Sequence, residues 1–217
     1  MLIVQEVLLD EFRSPARPQG GRNTCLVFAI SDLNRQLSNA DLSPEYLYRA
    51  AAIASTDWRP GNGIFFESAQ QAAQLGQPEE DSFPYCAEEP PSPIPALPIG
   101  LPLFGKAPEF ISKDPTDLAC SIRAGKAVGL GLRITQAFLD AKTDIIDFSE
   151  RVLPGLLHAV VAVGVGRKEG EVTPWFYVRN SWGPTWGTLG YAWISGEYVV
   201  AHAACAFGVD HGKNSTQ

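Results

Sequence analysis

The chain has 217 residues, 45% of them apolar and 19% charged, enough for one large domain or two small lobes around a real core. A formal net charge of -7 and a pI near 5.0 argue against a polyanionic partner such as nucleic acid, and no Lys/Arg cluster points to an anionic membrane. The longest apolar run, LLHAVVAVGVG, is too short to span a bilayer. The opening MLIVQEVLLDEF has no basic n-region and no small-residue cleavage site, so no signal peptide is read there.

The first strong pattern is TCLVFAISDLNRQLS. Val27, Phe28, Ala29, Ile30 and Leu33 fall on one helical face, Thr24 stands where an N-cap belongs, and Cys25 becomes the first helical residue. LSPEYLYRAAAIAS predicts a second helix, capped by Ser43 with Pro44 in its first turn. GIFFESAQQAAQLG predicts a third, ended by Gly76. From Pro84 to Pro108 the chain is rich in Pro and Gly and lacks a period, which reads as an irregular connection. PTDLACSIRAG predicts a short fourth helix stopped by Gly125.

The character then changes. KAVGLGLRI, HAVVAVGVGRK, PWFYVRNSW and GYAWIS are rich in β-branched and aromatic residues, with turn residues between them. Helices first and strands later suggest an α+β protein with a helical lobe and a sheet or barrel lobe. A cleft between two such lobes is where a ligand is expected. The C-terminal HGKNSTQ reads as a frayed tail, and its Asn214-Ser215-Thr216 triplet is a chance match to a glycosylation acceptor.

None of the four cysteines pairs as CxxC and the three His are scattered, so no structural zinc is expected, and four Cys in this length is not a disulfide scaffold. Cys120 and Cys205 lie in apolar patterns and read as buried thiols, while Cys86 reads as exposed. Cys25 differs. A helix start carries unpaired N–H groups and partial positive charge, which stabilise a thiolate and make it nucleophilic. That supplies a mechanism but not a function. A nucleophilic thiol needs a proton partner, and His158 opens an apolar strand. His202 and His211 have weaker contexts. Asn180, at the end of WFYVRN, can accept from the imidazole N–H facing away from a thiol, and Trp182 can shield that bond. Each of these residues alone reads equally well as packing.

Together the segments DEFR, QGGRNTCLVFA, LSPEYLY, GNGIFFESAQQAAQLG, FPYC, HAVVAVGVG and WFYVRNSWGPTWGTLGYAWI resemble the papain-like cysteine peptidases over most of the chain. The order of nucleophile, His and Asn is kept. The resemblance implies a two-lobe α+β fold, with a helical lobe over about residues 10–112 and an antiparallel β-barrel-like lobe over about 113–208. The N-terminal arm is 1–9 and the tail 209–217. It implies Cys25 as nucleophile, His158 as acid and base, Asn180 as the orienter of His158, Trp182 as support, and Gln19 with the Cys25 N–H as oxyanion donors. Gly63, Ile64, Gly131, Leu156 and Leu157 are implied to line the substrate cleft, with an apolar preference at the second residue before the scissile bond. Peptides or proteins are the implied substrates, a protein inhibitor or regulator is a further kind of partner, and no metal or cofactor is needed.

The sequence also departs from the family pattern. Leu26 replaces the usual aromatic after the nucleophile, Asn23-Thr24 replaces Gly-Ser, and Arg22 stands where many secreted members have a disulfide-forming Cys. Arg22 itself reads as a solvated loop charge. With no prosegment in view, the layout looks more like compact bacterial members, and the missing bridge suits an intracellular setting, a secreted mature form being the alternative. Two other functions stay open beside peptidase: acyl transfer by the same groups, as in an amidase, ligase or transpeptidase, and a catalytically silent binding or effector module.

Overall fold

A computed structural model describes residues 2–12 and 14–210, so His211, the Asn214-Ser215-Thr216 triplet and the rest of the expected tail beyond Asp210 lie outside it. The described residues contain six α-helices and seven strands, and they form two compact units. One comprises the N-terminal segment up to Pro18 with Phe110–Gly208; the other comprises Gln19–Glu109 with Val209 and Asp210. No helix of the described residues is long and apolar enough to cross a membrane.

The Gln19–Glu109 unit holds α1 (Cys25–Asn34), α2 (Pro44–Ala54) and α3 (Phe66–Leu75). The caps explain two of the boundaries. Ser43 Oγ accepts from the Tyr46 N–H at 3.0 Å, and Pro44 needs no N–H at the first helical position. Gly76 ends α3 with φ at +91°, a conformation costly for any residue with a Cβ. In α1 the expected single buried face is exceeded: every residue from Val27 to Asn34 is buried. The irregular connection after α3 covers the remaining side and satisfies the polar groups there. Asn34 donates to the Lys106 carbonyl and accepts from its N–H, and Gln77 Nε2 donates to Ser31 Oγ.

The other unit is built on a sheet of β1 (Ile3–Leu8), β2 (Glu109–Ile111), β3 (Val128–Thr135), β4 (Val152–Lys168), β5 (Trp175–Arg179), β6 (Tyr191–Ser195) and β7 (Ala203–Gly208). Its order is β2-β7-β3-β4-β5-β6, and β1 pairs antiparallel with the far end of β4. β4 starts before the predicted HAVVAVGVGRK. Its pairing with β3 continues through a register shift to Thr135 and Val152, so Pro154 and Gly155 lie inside a bulged, exposed start rather than in a turn. In β3, Val128, Leu130, Leu132 and Ile134 face the core, while Gly129 and Gly131 leave room for the Phe207 ring and the Cys205 thiol. α4 (Pro115–Arg123), α5 (Gln136–Leu139) and α6 (Gly196–His202) complete the unit. The residues before Pro18 group with the sheet because Arg179 and Tyr191 hold the Ser14 and Phe12 carbonyls, each at 2.8 Å.

Cys120 is not buried as expected. α4 turns Leu118, Ala119 and Ile122 inward, which leaves the residue between them exposed. Cys205 is half-buried, and burial pushes its thiol pKa up. Cys86 is half-buried rather than exposed, because its backbone is drawn into the network around Glu45 described next.

Candidate active site

The sheet-bearing unit brings His158, Asn180 and Trp182 together. His158 sits where β4 passes from its exposed start into the core and is 6% exposed. Its Nε2 lies 2.6 Å from Asn180 Oδ1. The same Oδ1 accepts from the Ser181 backbone N–H at 2.7 Å. A backbone N–H can only donate, so it fixes which end of the Asn180 amide faces the ring. His158 Nε2 must then carry the proton, and Nδ1 is the nitrogen that can take up another. Asn180 itself is held by its N–H on the Gly190 carbonyl, at 2.9 Å.

Aromatic rings close over this pair. The Trp182 ring lies 4.3 Å from the His158 ring, Phe138 packs edge-on to both, and Trp186 packs on Phe138 and donates to its carbonyl at 2.7 Å. Such rings exclude water from the His158–Asn180 bond. The cause of the His158 pKa follows: burial lowers it from 6.5 to about 4, the bond to Asn180 works against that, and no charged side chain contributes.

The Gln19–Glu109 unit brings Gln19 and Cys25 onto one short loop and the helix it feeds. Gly20 turns that loop at φ +64°. The α1 ladder begins with the Phe28 N–H on the Thr24 carbonyl, so the Cys25 N–H lies ahead of it, at the positive end of the helix. Thr24 takes the cap position, yet its side chain makes no capping bond. Its hydroxyl pairs with Tyr85 Oη at 2.9 Å instead. Gln19 is buried, and its Nε2 donates to the Arg22 carbonyl at 2.7 Å.

Arg22 is not the solvated loop charge expected from its setting. It is 3% exposed, with Nη1 at 2.5 Å from both Glu45 Oε2 and the Cys86 carbonyl. Its Nε is 3.6 Å from Glu89, and its guanidinium lies over the Tyr48 and Tyr85 rings at 4.7 and 5.0 Å. Burial alone disfavours the charge, but the bond and field of Glu45 outweigh it and the net pKa shift is upward. The partners lie far along the chain, so no local signal announces them. The FPYC segment is the nearest hint, and Tyr85 is the residue in it that matters.

The expected cleft residues divide between the units. Gly63 lies against Asn23, whose Nδ2 donates to the Gly61 carbonyl, and Ile64 is half-buried beside it. Leu156 and Leu157 are exposed at 46% and 61% on β4, and Gly131 is buried under Cys205. His202 takes no part: its Nε2 is 2.7 Å from the Ser149 carbonyl and its ring stacks on Phe148.

The sequence model of the papain family cysteine proteases matches residues 62–208, more than half of the chain. The chain belongs to that family. The matched stretch contains His158 and Asn180; Gln19 and Cys25 precede it. Among curated relatives, pro-cathepsin H of Mus musculus is 30% identical over 132 residues, 59% of this chain and 38% of that protein. Pro-cathepsin H of Bos taurus is 50% identical over 50 residues, 23% of this chain and 14% of that one. Thiol protease aleurain of Arabidopsis thaliana is 23% identical over 207 residues, 91% of this chain and 57% of that one. The chain therefore spans less than two thirds of the length of these relatives.

Proposed function

We propose that this chain is a cysteine peptidase that cleaves peptide bonds through Cys25, His158 and Asn180. The observation that carries the reading is the buried His158–Asn180 bond with its donor sense fixed by Ser181. It leaves Nδ1 of a neutral imidazole as a base, and nothing about a purely structural His requires that. The helix-start position of Cys25 and the family membership support the same reading.

The steps follow from the residues. The Cys25 thiolate attacks the peptide carbonyl carbon, and the oxyanion is met by the Cys25 N–H and the Gln19 side-chain amide. His158 gives its proton to the leaving amine as the C–N bond breaks, leaving a thioester. It then takes a proton from water, whose oxygen adds to the thioester carbonyl, and as the C–S bond breaks the acid product leaves and the thiolate beside protonated His158 is restored. Burial favours neutral His158, whereas a thiolate facing Nδ1 favours the imidazolium, so the resting charge state depends on both. The exposed Leu156 and Leu157 support an apolar preference at the second residue before the scissile bond. A peptide-library profile favouring Arg or Asp there would overturn that preference. The thiols of Cys86, Cys120 and Cys205, none in a disulfide, suit a reducing compartment.

The test is alkylation with iodoacetamide across about pH 4 to 8, beside Cys25→Ala, followed by casein digestion. Labelling at Cys25 well below the ordinary thiol range near about 8.5, together with casein cleavage lost in Cys25→Ala, is the expected result. Labelling no faster than an ordinary thiol sinks the proposal, and fast labelling without cleavage of casein or a peptide pool moves the chain to another acyl transfer.

A further inference from the structure

The loop that carries Gln19 to Cys25 is held by an ionic and aromatic knot, and Arg22 is its centre. The side chain reaches inward to Glu45 on α2, to Glu89 and to the Cys86 carbonyl, over the rings of Tyr48 and Tyr85. Its own carbonyl faces the loop, where it accepts from Gln19 Nε2 at 2.7 Å and from the Thr24 N–H at 2.9 Å. Tyr85 closes the circuit: its hydroxyl donates to the Gln19 carbonyl at 2.8 Å and pairs with Thr24 Oγ1. Glu45, fully buried, is also held by Arg49 Nε at 2.7 Å, so the anchor is fixed from a second side.

We infer that Arg22 is a positioning residue for the Gln19 amide. The chain from Glu45 through the guanidinium to the Arg22 carbonyl fixes where Gln19 Nε2 sits, and hence where its donors point. An amide on a glycine-turned loop has several rotamers open to it, and an oxyanion donor works only if it is in place before the charge develops. The inference rests on the peptidase reading for its effect on rate, but not for its effect on the amide.

The variants are Arg22→Met, which removes the charge, and Arg22→Lys, which keeps it but loses the planar guanidinium that sets Nη1 on Glu45 and the Cys86 carbonyl while lying over the Tyr48 and Tyr85 rings. The lysine variant guards against simple misfolding, and both are compared at equal folded fraction. Four quantities are measured: kcat and KM on a peptide substrate, the iodoacetamide rate at Cys25, and the Gln19 side-chain amide resonance, identified by its loss in Gln19→Ala. Alkylation is a direct displacement with no oxyanion, so it reports the nucleophile without the hole. The expected result is a kcat roughly 10- to 100-fold lower in Arg22→Met with KM little changed, and a smaller loss in Arg22→Lys. The alkylation rate stays within about twofold, and the Gln19 amide moves toward the position of solvated amides. In a Gln19→Ala background, Arg22→Met should add little further loss. An unmoved Gln19 amide, or a kcat loss that is undiminished without Gln19, overturns the inference. A wild-type chain that neither alkylates fast nor cleaves, while Arg22→Met still shifts the amide, instead defeats the peptidase reading and leaves the positioning role standing.

Discussion

His158 and Arg22 are both buried basic side chains, at 6% and 3% exposure, yet their surroundings are opposite in kind. Arg22 is met by carboxylates, a carbonyl and two ring faces, all of which stabilise a fixed positive charge. His158 is met by one neutral amide and by aromatic rings, with no charged side chain contributing to its pKa. The difference fits the roles proposed for the two groups. A side chain that only holds a loop gains from permanent partners. A side chain proposed to gain and lose a proton in each turnover would be trapped in its charged state by them; the neighbours of His158 orient it, and burial favours its neutral form.

The sharpest way to break this comparison is to remove the group proposed to change charge. His158→Gln should lower kcat by about 10⁴-fold or more, because the nucleophile loses its proton partner. A steady-state assay in which it keeps a tenth of the wild-type rate places the base elsewhere.

The second test uses pH. The folded-state pKa of His158 is depressed from 6.5 to about 4, so its neutral form belongs to the folded protein. Below 6.5 the unfolded chain takes up a proton that the folded chain refuses. Stability is therefore full above that pH and falls as the pH drops toward 4, by about 3 kcal/mol in all. Urea melts of Cys25→Ser, which has no thiolate to favour the imidazolium, should show the loss from neutral to acid pH, and adding His158→Gln should flatten that part of it. In Cys25→Ser, NMR titration of His158 should give the value set by burial and the Asn180 bond, and the wild type should titrate higher. Equal values in the two proteins argue against a thiolate at Nδ1.

Asn180→Ala comes third. It removes the acceptor for Nε2–H but not the rings, and should lower kcat roughly a hundredfold while Cys25 still alkylates. An unchanged kcat means that the rings alone orient the imidazole. The smallest effect belongs to the ionic side. Tyr85→Phe keeps the ring beneath Arg22 and removes the hydroxyl that ties Gln19 to Thr24, which should cost about 1 to 2 kcal/mol of stability by thermal or urea melts. No change in the melt would place Tyr85 outside the knot.

The same contrast marks how much of the molecule could be read from its sequence. The elements with local signals are legible: α2 from Ser43-Pro44, α3 from Gly76, and β5 and β6 from their aromatic runs. The elements that depend on neighbours are not. β1 has a weak alternation and is a strand because the far end of β4 pairs with it. β7 is mostly small residues whose place is set by two glycines in β3. α6 opens on a glycine and α5 is one turn long. At the site, His158, Asn180 and Trp182 lie in two segments with strong patterns of their own, HAVVAVGVG and WFYVRNSWGPTWG, so they are legible although His158 and Asn180 stand 22 residues apart. Arg22 is misread because its partners lie 23 and 64 residues away, and an arginine in a polar loop looks solvated until they are found.

The 17-residue β4 has two different halves. From Val152 to Leu157 it is bulged and largely exposed, whereas from Ala159 to Val165 it is buried, with β5 along one edge and β3 then β1 along the other. In hydrogen-exchange terms these are two units of very different opening free energy on one unbroken segment. Amides of the first half should exchange at a local-fluctuation rate, and those of the second only when the sheet opens as a whole. His158 stands at the last protected end of that boundary. The leading residues can then breathe and refit without carrying the imidazole with them.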